Sequence, residues 1–137
     1  APDISSIINV ADPSGAYSYE CSLSAMKRRS ADQDGLLVST NHFIDPSWGL
    51  EPPEPDSANG WTVARRNNGL AWAESGKGYL CAEQMRSILS KEITSEGGLF
   101  SESTIYQVVA VPQQLKLWLR VPDHFDWQEM DLTELFH

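Results

Sequence analysis

Apolar and polar residues alternate at both ends of the chain and follow a helical spacing in the middle. Ile7 to Ala11 is an apolar, β-branched run. Asp12-Pro13-Ser14-Gly15 follows, with Pro and Gly where a tight turn needs them. Between Ala16 and Cys21, Tyr17 and Tyr19 share one face of an extended chain, and Ser18 and Glu20 share the other. "LSAMKRRS" (23–30) predicts a third strand, "ADQDG" (31–35) a turn, and "LLVSTNHF" (36–43) a fourth strand. Three hairpin connections in succession predict an antiparallel meander.

The pattern then breaks. Residues 44–60, "IDPSWGLEPPEPDSANG", hold four prolines and two glycines and predict a loop without regular structure. A loop of this length in a compact domain is often functional; the plain alternative is a solvated linker. A helix is predicted over Trp61 to Ser75, with Val63, Leu70 and Ala71 at helical spacing, although Asn67-Asn68-Gly69 is a poor helix centre. The clearer helix is "YLCAEQMRSILSKE" (79–92). Its Cys81, Met85, Ile88 and Leu89 fall at i, i+4, i+7 and i+8, and Gly97-Gly98 follows as a stop. Thr104 to Val111 and Leu115 to Val121 then read as a hairpin joined by Pro112-Gln113-Gln114. In its second strand Leu115, Leu117 and Leu119 alternate with Lys116, Trp118 and Arg120. Residues 123–137 carry five acids and no Lys or Arg, and predict an acidic C-terminal arm or short helix.

The order of four strands, two helices and two strands predicts an α+β fold. Its expected form is a single antiparallel sheet joining both strand groups, with both helices on one face, as one domain over residues 1–137. The length of 137 residues suits a core of moderate size. There is no internal repeat. Ten Lys and Arg against nineteen Asp and Glu give a net charge of −9, which argues against nucleic acid or an anionic membrane surface as partner. No apolar run approaches the roughly 20 residues of a membrane-spanning helix. Cys21 and Cys81 have no CxxC partner, and His42, His124 and His137 are scattered without metal-ligand spacing. No metal and no cofactor are therefore expected. Both cysteines read as buried thiols, with a disulfide as the alternative.

No GxSxG elbow, HExxH, P-loop or GxGxxG is present. One constellation has chemical potential: Asn41 and His42 at the end of an expected strand, a long loop, and then Arg65-Arg66. An Asn amide can donate to a developing oxyanion, and an Arg can fix a carboxylate or orient a polar neighbour. The simpler reading makes Asn41 a strand-end cap and leaves the arginines solvated.

The run Ala11-Asp12-Pro13-Ser14-Gly15, Glu20, and Val38-Ser39-Thr40-Asn41-His42-Phe43-Ile44-Asp45-Pro46 resembles the middle of linear-amide C–N hydrolases of the N-terminal-nucleophile class. These are the choloylglycine hydrolase and penicillin V acylase group, with the related acyl-coenzyme A:6-aminopenicillanate acyltransferases. Arg66 with Leu70, Met85 to Ser90, and Thr104 to Pro122 extend the likeness over residues 7–122. The Thr-Asn-His-Phe element and the Thr-Ile-Tyr strand are its most specific parts. The resemblance implies half of an αββα sandwich. Asn41 would be the oxyanion-hole or substrate-orienting amide and Arg66 the arginine beside the nucleophile, with Arg65 as the alternative. His42, Phe43 and Arg65 would contact a small acylated amide substrate.

The chain departs from that family's pattern at one central position. The family's nucleophile is an N-terminal Cys whose own amine can act as base, and residue 1 here is Ala. The chain thus resembles a C-terminal half whose nucleophile lies outside it. Its expected partner is an N-terminal half or a second chain of the same fold, with homo-oligomerisation also open. Two functions remain: part of an amidase or acyltransferase, or a non-catalytic binding or assembly domain that keeps the fold.

Overall fold

The computed structural model describes residues 6–12, 14–32 and 35–136. The start of the chain, Pro13 of the first expected turn, Gln33 and Asp34 of the second, and His137 lie outside the described residues. The chain clusters into two compact units, Ala1–Ala73 and Glu74–His137.

The first unit is built on β1 (Ser6–Asp12), β2 (Gly15–Cys21) and β3 (Met26–Ser30), an antiparallel sheet in that order. The Asp12 carboxylate accepts from the Ser14 and Gly15 amides at 2.7 and 3.1 Å and tightens the first hairpin. Ser22 Oγ accepts from the Ala25 amide at 3.1 Å in the second. Ile7 lies opposite Glu20, and Glu20 opposite Lys27; Asn9 lies opposite Ser18, and Ser18 opposite Arg29. These rows share one polar face, and it is the covered one. Ser18 and Glu20 are both 0% exposed, while Tyr17 and Tyr19 across the sheet are half-buried and Ile8 and Val10 are exposed.

Residues 36–43 cover that face, but not as the expected fourth strand. No ladder forms there. Side chains from β2 and β3 hold the segment instead. Arg29 Nη2 donates to the Val38 carbonyl at 3.4 Å and to Ser39 Oγ at 2.8 Å, and Ser39 Oγ donates to Ser18 Oγ at 2.8 Å. An arginine that points at the segment satisfies a carbonyl that a ladder would otherwise have paired. The Pro-rich stretch 44–60 is irregular apart from one 3₁₀ turn, Pro46–Trp48. Asp45 caps it by accepting from the Ser47 amide at 2.8 Å.

Helix α1 (Gly60–Ser75) begins one residue before the expected start. Its buried residues are Gly60, Thr62, Gly69 and Ala73; Val63 and Leu70 are half-buried and Ala71 is exposed. The helix therefore buries small residues rather than the Val63–Leu70 stripe.

The second unit holds α2 (Ala82–Ser90), β4 (Gln107–Val111), β5 (Lys116–Val121) and β6 (Phe125–Asp131). The Cys81 amide donates to Gln84 Oε1 at 2.9 Å and satisfies a free donor at the α2 start. Of the expected α2 stripe, Ile88 is buried, Met85 and Leu89 are half-buried, and Cys81 is exposed. The helix packs on β4. Gln107 Nε2 donates to the Leu89 carbonyl, and Trp127 Nε1 donates to Ser90 Oγ at 2.9 Å.

The fold is α+β, with helix packed on antiparallel sheet. Two further expectations are corrected. The strands form two separate three-stranded sheets, β1-β2-β3 and β4-β5-β6, not one. The acidic tail is not an arm: seven of its fifteen residues form β6, followed by a 3₁₀ turn at Thr133–Phe136. Its acids find cations across the ladder, Glu129 on Lys116 and Asp126 on Arg120, so their charge does not oppose strand pairing. In β5, too, the face with polar residues is the covered one. Trp118 is 7% exposed on the α2 side beside Val109 and Gln107, whereas Leu117 and Leu119 share the other face with exposed Val108 and Met130.

Gly60 marks the tightest approach in the first unit: a Cβ there would lie 1.9 Å from the Pro55 carbonyl oxygen. Gly60→Ala is expected to displace the loop and lower stability by about 1–3 kcal/mol, as overpacking does. A urea denaturation midpoint equal to that of the parent chain would contradict this contact.

Candidate functional site

A cleft of about 800 Å³ opens on the first unit. Thr40, Asn41 and His42 form its polar side, Phe43 and Trp48 its aromatic side, and Arg65 reaches it from α1. Four of the five residues expected at a site, Asn41, His42, Phe43 and Arg65, thus line one cleft. Arg66 is not among the lining residues, although it is near enough for its charge to act on His42.

The aromatic wall is set by Glu20. Its carboxylate is fully buried yet has four donors, two on each oxygen. Oε1 accepts from Arg29 Nε at 2.9 Å and the Ile44 amide at 3.0 Å; Oε2 accepts from the Asp45 amide at 3.2 Å and Trp48 Nε1 at 2.8 Å. A carboxylate removed from water needs this compensation, and here every lone pair has a partner. Trp48 is thereby fixed against Phe43, ring centroids 4.9 Å apart and planes 25° apart. Lys27 lies over the Trp48 ring at 5.4 Å.

The polar wall is set by the first turns of α1. Thr62, 2% exposed, accepts from the Asn41 backbone amide at 2.8 Å. One turn further, Arg65 Nη2 lies 3.3 Å from Asn41 Oδ1. A guanidinium only donates, so the amide atom facing it must be oxygen. The Asn41 NH₂ then has no acceptor among the described residues and is free to donate within the cleft. His42 Nδ1 sits 3.2 Å from Thr40 Oγ1 and 3.1 Å from Thr62 Oγ1. The Thr62 hydroxyl accepts from Asn41 and also shares a hydrogen bond with Nδ1, in a direction set by the imidazole tautomer.

Among the described residues the cleft carries a positive charge with no acidic ion-pair partner, in an acidic chain. Among the described residues neither Arg65 nor Arg66 forms an ion pair. Arg65 stacks on Trp61 at 5.2 Å, and Arg66 Nε is buried without a hydrogen-bond partner. Burial lowers the pKa of both guanidiniums, with Arg29 adding to the effect on Arg66. Burial first, and then the Arg66 charge, lowers that of His42. His42 is thus a neutral hydrogen-bonding group near pH 7. No group of three His, Cys, Asp or Glu suited to a metal occurs among the described residues. Neither cysteine lines the cleft; Cys21 is half-buried in β2 and Cys81 exposed, both as free thiols.

Sequence reasoning missed three contributors: Thr62, Trp48 and the organising role of Glu20. A Thr three positions into a helix carries no signal of its own. Glu20 had one, since its strand position shares a face with Arg29.

Two outcomes are expected. Glu20→Gln places an amide NH₂ where only acceptors are tolerated, because each oxygen faces two donors. It should lower stability by on the order of 3 kcal/mol, as does removing one member of a buried ion pair; an unchanged denaturation midpoint would refute the role. For His42, folded and unfolded chains differ in proton uptake only below about pH 6.5. There the unfolded chain binds more protons, so this residue's contribution destabilises the fold as pH falls from 6.5 through the lowered folded value, and vanishes above 6.5. His42→Gln should flatten the stability profile between pH 6.5 and 5, measured by urea melts across that range.

No family model, no curated protein and no solved structure matches this chain.

Proposed function

We propose that the chain supplies the oxyanion-binding and substrate-orienting side of an amidase or acyltransferase site acting on linear amide C–N bonds. The nucleophile comes from outside this chain. The observation that carries the reading is the Asn41 side chain. Its oxygen is occupied by Arg65 and its NH₂ is unpaired at a cleft, which is the arrangement a donor to a developing oxyanion requires. Arg65, without an acidic partner among the described residues, favours negative charge at the same place. The likeness of residues 38–46 to the N-terminal-nucleophile amidases supports the same assignment. Of the two arginines, the geometry favours Arg65 as the one acting with Asn41. Phe43 and Trp48 offer an apolar surface to an acyl group. No thiol lines the cleft, which agrees with a nucleophile brought by an N-terminal segment or a second chain of the same fold.

Three measurements test this. Titrating N-hexanoylglycine into ¹⁵N-labelled chain should shift the Asn41 side-chain NH₂ resonances, and Arg65→Ala should abolish the shift. No shift at millimolar ligand would count against the cleft as an amide site. The chain alone should not hydrolyse acylated amines or amino acids; turnover abolished by Cys21→Ala or Cys81→Ala would relocate the nucleophile. In an assembly carrying the nucleophile, Asn41→Ala should reduce turnover on the order of a hundredfold or more with little change in Tm. A fall in Tm with specific activity preserved would make Asn41 a turn residue only.

A further inference from the structure

We infer that Thr62 is a positioning residue that holds Asn41 and His42 in register with Arg65. Three observations support this. Thr62 is 2% exposed, so its hydroxyl has no water to fall back on. That hydroxyl meets both residues of the opposite wall, the Asn41 backbone amide at 2.8 Å and His42 Nδ1 at 3.1 Å. Thr62 is also three residues before Arg65, so both lie on the same side of the helix within one turn. Arg65 takes the Asn41 side-chain oxygen at 3.3 Å.

The three contacts fix Asn41 at two points. Thr62 sets where its backbone sits, and Arg65 sets which way its amide turns. Neither alone would aim the NH₂, because a side chain anchored only at its tip can follow a moving backbone. A rigid helix is the better support for such a group, since both anchors come from one element and move together. His42 is fixed by the same oxygen. One hydroxyl thus holds both the backbone of residue 41 and the ring of residue 42.

A buried threonine in a helix could instead be there only for packing. Thr62→Val keeps the shape and removes the hydroxyl; Thr62→Ser keeps the hydroxyl and removes the methyl. Amide exchange and the ring ¹⁵N shifts of His42, recorded on the free chain, separate the two. In Thr62→Val, exchange at the Asn41 amide is expected to accelerate at least tenfold while amides in the middle of α1 keep their protection. The His42 ring ¹⁵N shifts should move as Nδ1 loses a hydrogen-bond partner. Thr62→Ser should retain both parent signals. Parent-like Asn41 exchange and His42 shifts in a folded Thr62→Val would overturn the inference. If Thr62→Val does not fold, Thr62→Ser decides: parent-like signals support the role of the hydroxyl, and lost protection at Asn41 overturns it.

The consequence for turnover rests on the amidase reading above; the placement of Thr62 does not. In the nucleophile-carrying assembly Thr62→Val should lower kcat more than it raises KM. Altered Asn41 and His42 signals with unchanged turnover would leave Thr62 as a positioning residue and defeat the amidase reading.

Discussion

The first unit depends on one buried carboxylate. Glu20 sits near the end of β2 with no access to water, and an unpaired charge there would not be tolerated. Its four donors come from three places: Arg29 on β3, the backbone at Ile44 and Asp45, and the Trp48 indole. Hydrogen bonds to a charged group are worth more than neutral ones, about 1.5–3 kcal/mol each, and these four converge on a single side chain. They tie an otherwise irregular, Pro-rich segment to the sheet. Where an apolar core would cover a sheet face with Leu and Val, this unit covers it with a loop and satisfies the loop's polar groups from the sheet.

That choice explains the character of the cleft. A loop pinned at Ile44–Trp48 by Glu20 and at Asn41 by Thr62 presents its intervening residues outward, with Phe43 stacked on Trp48 and Asn41 turned by Arg65. The arginines divide into two kinds. Arg29 is consumed by Glu20 and Ser39 and is structural. Arg65 and Arg66 have no acidic partner among the described residues, although the chain has nearly twice as many acids as bases. Leaving them unpaired has an electrostatic cost that a complementary anionic or oxyanionic group would offset.

Much of the candidate site was legible because its residues are close in sequence. Asn41, His42 and Phe43 are consecutive, and Arg65-Arg66 lie in the second turn of the next helix. The two arginines could not be told apart, because adjacent helical positions point about 100° apart and only the helix's orientation decides which one faces the loop. The expected strand over 36–43 failed for a related reason. Its composition suits a strand, but β3, although an edge strand, meets the segment through the Arg29 guanidinium rather than through a backbone ladder.

The sequence by itself determined the type of seven elements, though not of β6 or of the segment 36–43. Period-two alternation and turn residues located β1 to β5, and helical spacing located α1 and α2. It also determined which residues share a face, since alternation assigns Ser18 with Glu20 and Leu117 with Leu119 without knowledge of the fold. Only the tertiary structure decided which face is covered, and in both sheets the covered face is the one bearing charged or polar residues. Hydrophobicity alone favours the opposite choice. Glu20 reverses it through its full set of donors, and on β5 Trp118 and Arg120 reverse it by packing against α2, Gln107 and Phe100. The division of the strands into two sheets was likewise beyond the sequence. Strand pairing between distant segments is set by what each edge meets in space, which local pattern does not encode.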